Sequence, residues 1–224
     1  MHQSLISPPK SMKCLKQRAQ ALAGKTLGQL AEELNENVPN DLLRAKGWVG
    51  QLLEKSLGAT AGNRDIPDFP DLGIELKTLP INEKGKPQES TYLCHVTLPL
   101  EEVDFFQSRA WSKLANVLWV PIQTHPNQPI SERIIGTPLF WSPSKAITRI
   151  LKTDWDELTE RMRLGYYENL SAHQGTYLQL RPKAANSKVL IQVINHMGQA
   201  ISIVPRGFYL RVDLTQHILS HYYA

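Results

Sequence analysis

The chain has 224 residues, 42% of them apolar, which leaves room for one large domain or two joined lobes and excludes a disordered chain. Its formal net charge of +4 is modest, no stretch reaches the roughly 18 apolar residues of a membrane span, and the first ten residues hold no apolar run of signal-peptide length. Two cysteines, Cys14 and Cys94, are too few for a disulfide framework, so a reduced, cytoplasmic protein with no membrane partner is expected.

In chain order, Leu15, Ala19 and Leu22 recur at helical spacing and predict a helix over residues 11–23, ended by Gly24. Thr26-Leu-Gly-Gln29 is a capping box that opens a second helix with Leu27, Leu30, Ala31 and Leu34 on one face. A third helix is predicted from about Asp41 to Leu57, with Val49, Leu52, Leu53 and Leu57 inward and Gly58 at its end. From Gly73 the period changes to two. Ile74 and Leu76 alternate with Glu75 and Lys77, and a second strand, Thr91–Leu98, is the expected hairpin partner. Residues 115–122 and 134–141 are further strands. Ser142-Pro143 is the expected start of a long helix ending near Gly165. Residues 176–181 alternate up to Pro182, residues 189–196 are expected to be helical, 201–204 form a short strand, and a terminal helix begins at Thr215. The class is α/β, a mixed sheet flanked by helices.

The chemistry concentrates in Asp68-Phe-Pro-Asp71-Leu-Gly-Ile-Glu75-Leu-Lys77. A strand sends alternate side chains to opposite faces, so Glu75 and Lys77 project together while Ile74 and Leu76 enter the core. Two carboxylates and an amine are the parts needed for metal-assisted phosphodiester hydrolysis: hard oxygen ligands for Mg²⁺, and a lysine to orient water or offset charge on the phosphate. An exposed ion pair on an edge strand would look the same. The motif alone does not choose among Asp65, Asp68 and Asp71. Glu54 on the preceding helix is either a third acid of the site or a solvated helix carboxylate. His95 alternates with apolar neighbours and is read as a core histidine; the histidines show no metal-ligand spacing, so zinc is not expected.

The charge is unevenly placed. Residues 181–224 hold five bases and one acid, hence +4, whereas residues 1–180 balance at 20 against 20. A basic end beside a neutral body points to a polyanion. Within it, Arg181-Pro182-Lys183 leaves a strand as a basic loop, and arginine and lysine are the side chains that most often read guanine, although many basic loops are merely solvated. Pro205-Arg206-Gly-Phe208-Tyr209 sets aromatics among arginines, a mix that suits nucleic acid or a core.

Taken together, Lys46-Gly-Trp-Val-Gly50, Leu52-Leu-Glu54, Asp68 to Thr78, Val117-Leu-Trp-Val-Pro121, Arg181-Pro-Lys-Ala-Ala-Asn186 and Pro205 to Leu210 resemble the MutH family, the strand-nicking endonucleases of bacterial methyl-directed mismatch repair. The resemblance implies a restriction-endonuclease-like fold with two lobes around a DNA cleft. A single domain over residues 1–224 is expected, with a catalytic lobe to about residue 165 and a DNA-reading lobe from about 166. It implies nicking of the unmethylated strand at hemimethylated GATC sites in double-stranded DNA, with Mg²⁺, on activation by the mismatch-repair ATPase MutL. It picks Asp68 as the acid paired with Glu75 and Lys77, makes Glu54 the helix carboxylate near the metal and Lys46 a basic DNA-binding residue. Arg181, Pro182 and Lys183 become base readers, Tyr209 the methylation sensor and Arg206 a further DNA contact. The Pro70-Asp71 pair departs from the family pattern and adds a second acid beside Asp68.

A single catalytic set attacks one strand per encounter, so a monomer and a nicked product are expected. Two rivals differ on that point. A GATC-type restriction endonuclease would cut both strands, which requires two sets. A non-catalytic DNA-binding regulator would use residues 26–34 as the first element of a helix-turn-helix, but Asn35-Glu-Asn-Val-Pro39 replaces the tight turn and basic helix that this needs, and Glu75 and Lys77 would have no task.

Overall fold

Packing divides the chain in two in the computed structural model, which describes residues 6–100, 103–184 and 188–223. Unit 1 comprises residues 1–88 and 115–142, and unit 2 comprises residues 89–114 and 143–224. The division follows packing and not chain order: residues 89–114 and 143–165, which precede the expected lobe boundary near 165, group with the C-terminal segment.

The elements in order are α1 (Met12–Gln20), α2 (Leu27–Glu33), α3 (Trp48–Leu57), β1 (Glu75–Ile81), β2 (Thr91–His95), α4 (Arg109–Ser112) and β3 (Val117–Gln123). There follow β4 (Ile134–Ile135), β5 (Leu139–Trp141), α5 (Lys145–Arg163), β6 (Leu178–Pro182), β7 (Ile191–Ile194), β8 (Ala200–Ile203), β9 (Arg206–Leu210) and α6 (Val212–Tyr222). The class is mixed α/β. Among the described residues no helix is long and apolar enough to cross a membrane, and Cys14 and Cys94 are not joined in a disulfide.

In unit 1, β1 pairs in parallel with β3, while β4 and β5 pair antiparallel with β3. Leu76, Leu118, Val120 and Ile122 join Leu15, Leu27, Leu30, Leu52, Leu53 and Leu57 in one core, so one face of the sheet is closed by α1, α2 and α3. The capping box at Thr26 forms in full. α3 begins only at Trp48, because Gly47 turns left-handed (φ +85°) and Asp41 Oδ1 accepts the Leu43 N–H in a local turn that competes with helix.

In unit 2, β2, β9 and β6 form an antiparallel sheet with β9 in the middle. This corrects the expected hairpin: β2 is the partner of β9, and β1 pairs with β3 instead. A parallel pair needs a long crossover, and residues 82–116 supply it, carrying β2 into unit 2, where Leu93 and Cys94 are buried. The helix expected over 189–196 is a β7–β8 hairpin. Its β-branched residues favour strand, and the buried Asn195 closes the turn by accepting the Met197 and Gln199 N–H groups. α5 starts at Lys145 with Ser144 as its cap, since the hydroxyl of Ser142 is bonded to Asn116 Oδ1.

One buried group sets where β6 begins. Asp154 of α5 accepts three consecutive backbone N–H groups, from Thr176 at 2.7 Å, Tyr177 at 2.6 Å and Leu178 at 2.8 Å. Gly175 (φ +82°) admits this turn, since a Cβ there would run into the Leu178 carbonyl.

Candidate functional site

In unit 1 the turn before β1 folds Asp68 against the strand. Phe69 and Ile74 bridge as an antiparallel pair around a 3₁₀ turn at Pro70–Leu72. This brings Asp68 Oδ2 to 2.7 Å from the Leu76 N–H, which it accepts, between Glu75 and Lys77 in sequence. Glu75 and Lys77 share a strand face, and Lys77 Nζ donates to Glu75 Oε1 at 2.6 Å. Asp68 and Glu75 are 9% and 2% exposed, whereas Asp65 and Asp71 stand at the surface. Formally the trio carries two negative charges and one positive, in a place where burial makes charge costly.

As oxygen donors, Asp68 and Glu75 form a pair fixed by the backbone. Glu54 is half-buried on α3, with its Oε1 near the backbone of Gly50 one turn back. Among the described residues no group of three or more His, Cys, Asp and Glu side chains is gathered closely enough to hold a metal, so Glu54 does not complete a three-acid set with the pair. Lys46 is exposed immediately before α3.

In unit 2 the basic residues and the aromatics come together on the outward face of the β2–β9–β6 sheet. Leu178 and Leu180 are buried, and Arg181 points outward beside Tyr209, with its guanidinium 5.8 Å from the ring centroid. Lys183 Nζ lies 4.4 Å from the Tyr92 centroid, and the Tyr92 and Tyr209 rings meet edge to face at 5.3 Å. Cations held over aromatic faces gain from the ring quadrupole and stay available to a ligand. Burial raises the Tyr209 hydroxyl above its ordinary range, Arg181 opposes this and Glu89 adds to it. Pro182 ends the strand, and Lys183 N–H donates to Pro205 O at 2.7 Å. Ala185, Asn186 and Ser187 of the loop lie outside the described residues.

Arg206 takes the other face of β9, with Phe208 and Leu210, where its Nη2 donates to Tyr167 O at 3.3 Å and burial lowers its pKa. Alternation along residues 91–98 assigns Tyr92 no role and places His95 in the core. His95 is exposed instead, 5.5 Å from the Tyr92 ring. The cause is a β-bulge: the register with β9 slips between Tyr92 and Cys94, so Leu93 and Cys94 are both buried and His95 returns to the side of Tyr92. A bulge breaks alternation and leaves no mark in periodicity: plain strand spacing from the buried Cys94 would put Tyr92 on the buried side as well.

A family model described as DNA mismatch repair enzyme MutH matches residues 57–154, which include the acid–lysine set. The DNA mismatch repair protein MutH of Serratia proteamaculans (strain 568) is 47% identical over 220 residues, covering 98% of this chain and 96% of that protein. Its namesake from Yersinia pestis (strain Pestoides F) is 47% identical over 218 residues, covering 97% and 96%. Identity at that level along almost the full length of both chains exceeds what a shared fold requires: the chain belongs to the MutH family of DNA mismatch repair enzymes.

Proposed function

We propose that the chain is a Mg²⁺-dependent, restriction-endonuclease-like enzyme that nicks the unmethylated strand of hemimethylated GATC sites, acting as a monomer in the cytoplasm and activated by MutL. The observation that carries the reading is the acid–lysine set at the head of β1: two buried carboxylates fixed by the Leu76 N–H and by Lys77, in a chain from a family of mismatch repair enzymes.

The donor set fits Mg²⁺, which commonly takes one or two carboxylates and fills its shell with water and phosphate. Asp68 and Glu75 would hold it, and the ion would supply Lewis-acid polarisation of the phosphate. The chain's own residues do the rest. Lys77 fixes the Glu75 carboxylate and sets a positive charge where negative charge grows on the phosphoryl group. Asp68, tied to the strand backbone, cannot swing away when DNA leaves. Lys46 and Arg206 are assigned to DNA binding; Arg206, bonded to Tyr167 O on the face opposite Tyr209, would have to turn outward to reach DNA. Arg181, Pro182 and Lys183 would read base edges, and Tyr209 would sense the adenine methyl group by contact.

The test is incubation with supercoiled plasmids bearing unmethylated, hemimethylated or fully methylated GATC, with Mg²⁺ or Ca²⁺. Open circles should form with Mg²⁺ on the first two substrates, faster when MutL and ATP are added. Linear product without an open-circle phase would replace this reading by a both-strand cutter, and binding without cutting under every condition would replace it by a regulator.

A further inference from the structure

His95 occupies a place that the base readers alone do not explain. In register it stands opposite Gly207 of β9, and Arg181 of β6 stands opposite the same glycine from the other side. With no side chain at Gly207, the Tyr92 ring and Lys183 settle over that position: a Cβ built there would meet Tyr92 Cε2 at 3.0 Å and Lys183 Cβ at 3.4 Å. The imidazole therefore extends the row of Arg181, Lys183 and Tyr92 at its far edge. Resting on the reading of this face as the DNA reader, we propose that His95 is a further DNA contact, an imidazole that takes up a proton as the phosphate backbone approaches and so couples DNA affinity to pH.

The charged surroundings decide the direction. The titratable and charged groups facing His95 are Lys183 beyond β6, Arg109 of α4 and the Tyr92 phenol, with Tyr209 next in the row. Arg109 is held near by its bond to Thr97 Oγ1 at 3.1 Å. Partial burial first, then Lys183 and Arg109, hold the imidazole below its ordinary range in the free protein. A phosphate drawn to the same cations cancels their repulsion and favours the imidazolium. The pKa is thus higher in the complex than in the free chain, and binding takes up a proton. Affinity gains as pH falls through the complex value, and the gain is complete below the free value.

Binding of the full chain to a GATC duplex is measured at roughly pH 6 and roughly pH 8, with Ca²⁺ and over a range of salt concentrations, for wild type, His95→Gln and Lys183→Ala. Wild type should bind several-fold more tightly at the lower pH, and the slope of log K against log salt should steepen there by about 0.9, the signature of one added phosphate contact. His95→Gln should lose both changes, and only the difference from wild type is read. The His95 ring signal, followed by NMR, should titrate at higher pH once duplex is present. If His95→Gln keeps the full pH gain, or the ring titration does not move, while Lys183→Ala still weakens GATC binding, the inference is overturned and the reading face stands. If Lys183→Ala leaves GATC binding unchanged, the reading face itself fails and the proposal fails with it.

Discussion

Around Asp68 and Glu75 the chain buries negative charge and holds it with backbone and one ammonium; around Tyr92 and Tyr209 it leaves positive charge outward and rests it on aromatic rings. The first arrangement is stiff, because within residues 68–77 the Leu76 N–H holds Asp68 and Lys77 holds Glu75 before any ligand arrives. The second is assembled from three strands far apart in sequence, and its cations lie over the faces of half-buried rings. A stiff buried set suits chemistry, where geometry decides the rate. An outward, polarisable set suits a ligand that must be surveyed along its length before it is held.

If that contrast is right, damage to the first region removes turnover and spares affinity. Asp68→Asn, Glu75→Gln and Lys77→Ala should each lower nicking by a factor on the order of 10³ or more, comparable with losing a main electrostatic stabiliser. Affinity for DNA should stay level or rise in the two acid variants, since repulsion between carboxylate and phosphate is relieved. Single-turnover nicking beside a binding isotherm checks both halves. Activity in Asp68→Asn at the wild-type rate, with Asp71→Asn inactive, would transfer the role to the exposed acid.

The second region should fail differently, through its foundations. Asp154→Ala leaves the N–H groups of Thr176, Tyr177 and Leu178 without their acceptor and should cost about 3 kcal/mol or more, read as a shift of the denaturation midpoint. The milder Asp154→Asn keeps one acceptor oxygen. It should narrow the affinity ratio between GATC and unrelated duplexes while the rate of bound substrate changes little, because β6 starts from this clamp. Equal losses on both duplexes would reduce Asp154 to a stability residue.

The same contrast explains what was legible in the sequence. The acid–lysine set is local, so alternation alone put Glu75 and Lys77 on one face and Leu76 in the core, as the structure has them. Helices with strong caps, such as that at Thr26, were legible for the same reason. The reading face depends on which strands pair, and pairing between residues 91–95 and 206–210 follows from long-range burial that periodicity does not encode. Hence β2 was assigned to the wrong partner, His95 to the core, and Tyr92 to no role. The hairpin at 191–203 is hidden by period: Val189, Val193 and His196 recur at helical spacing, although residues 191–194 and 200–203 pair as strands.

The smallest expected effect is also the sharpest comparison, because it makes one chemical change in each region. Gly207→Ala adds a methyl group that would lie 3.0 Å from Tyr92 Cε2 and 3.1 Å from the Cys94 carbonyl oxygen. The ring and Lys183 can yield, but the carbonyl belongs to the bulge and can move only with β2. The cost should be about 1 kcal/mol, the low end of overpacking. Gly24→Ala, in unit 1, meets open space but forces alanine into a left-handed turn at φ +84°, for a similar cost of about 1 kcal/mol. Matched in stability, the two should part in function: Gly207→Ala displaces Tyr92 and Lys183 and should weaken GATC preference and methylation discrimination, whereas Gly24→Ala should leave both intact. Denaturation curves and duplex binding on matched GATC and scrambled sequences measure the pair. Unaltered preference in Gly207→Ala would mean that the rings and cations over that glycine are not held in place by β9, and that the outward face tolerates more rearrangement than its packing implies.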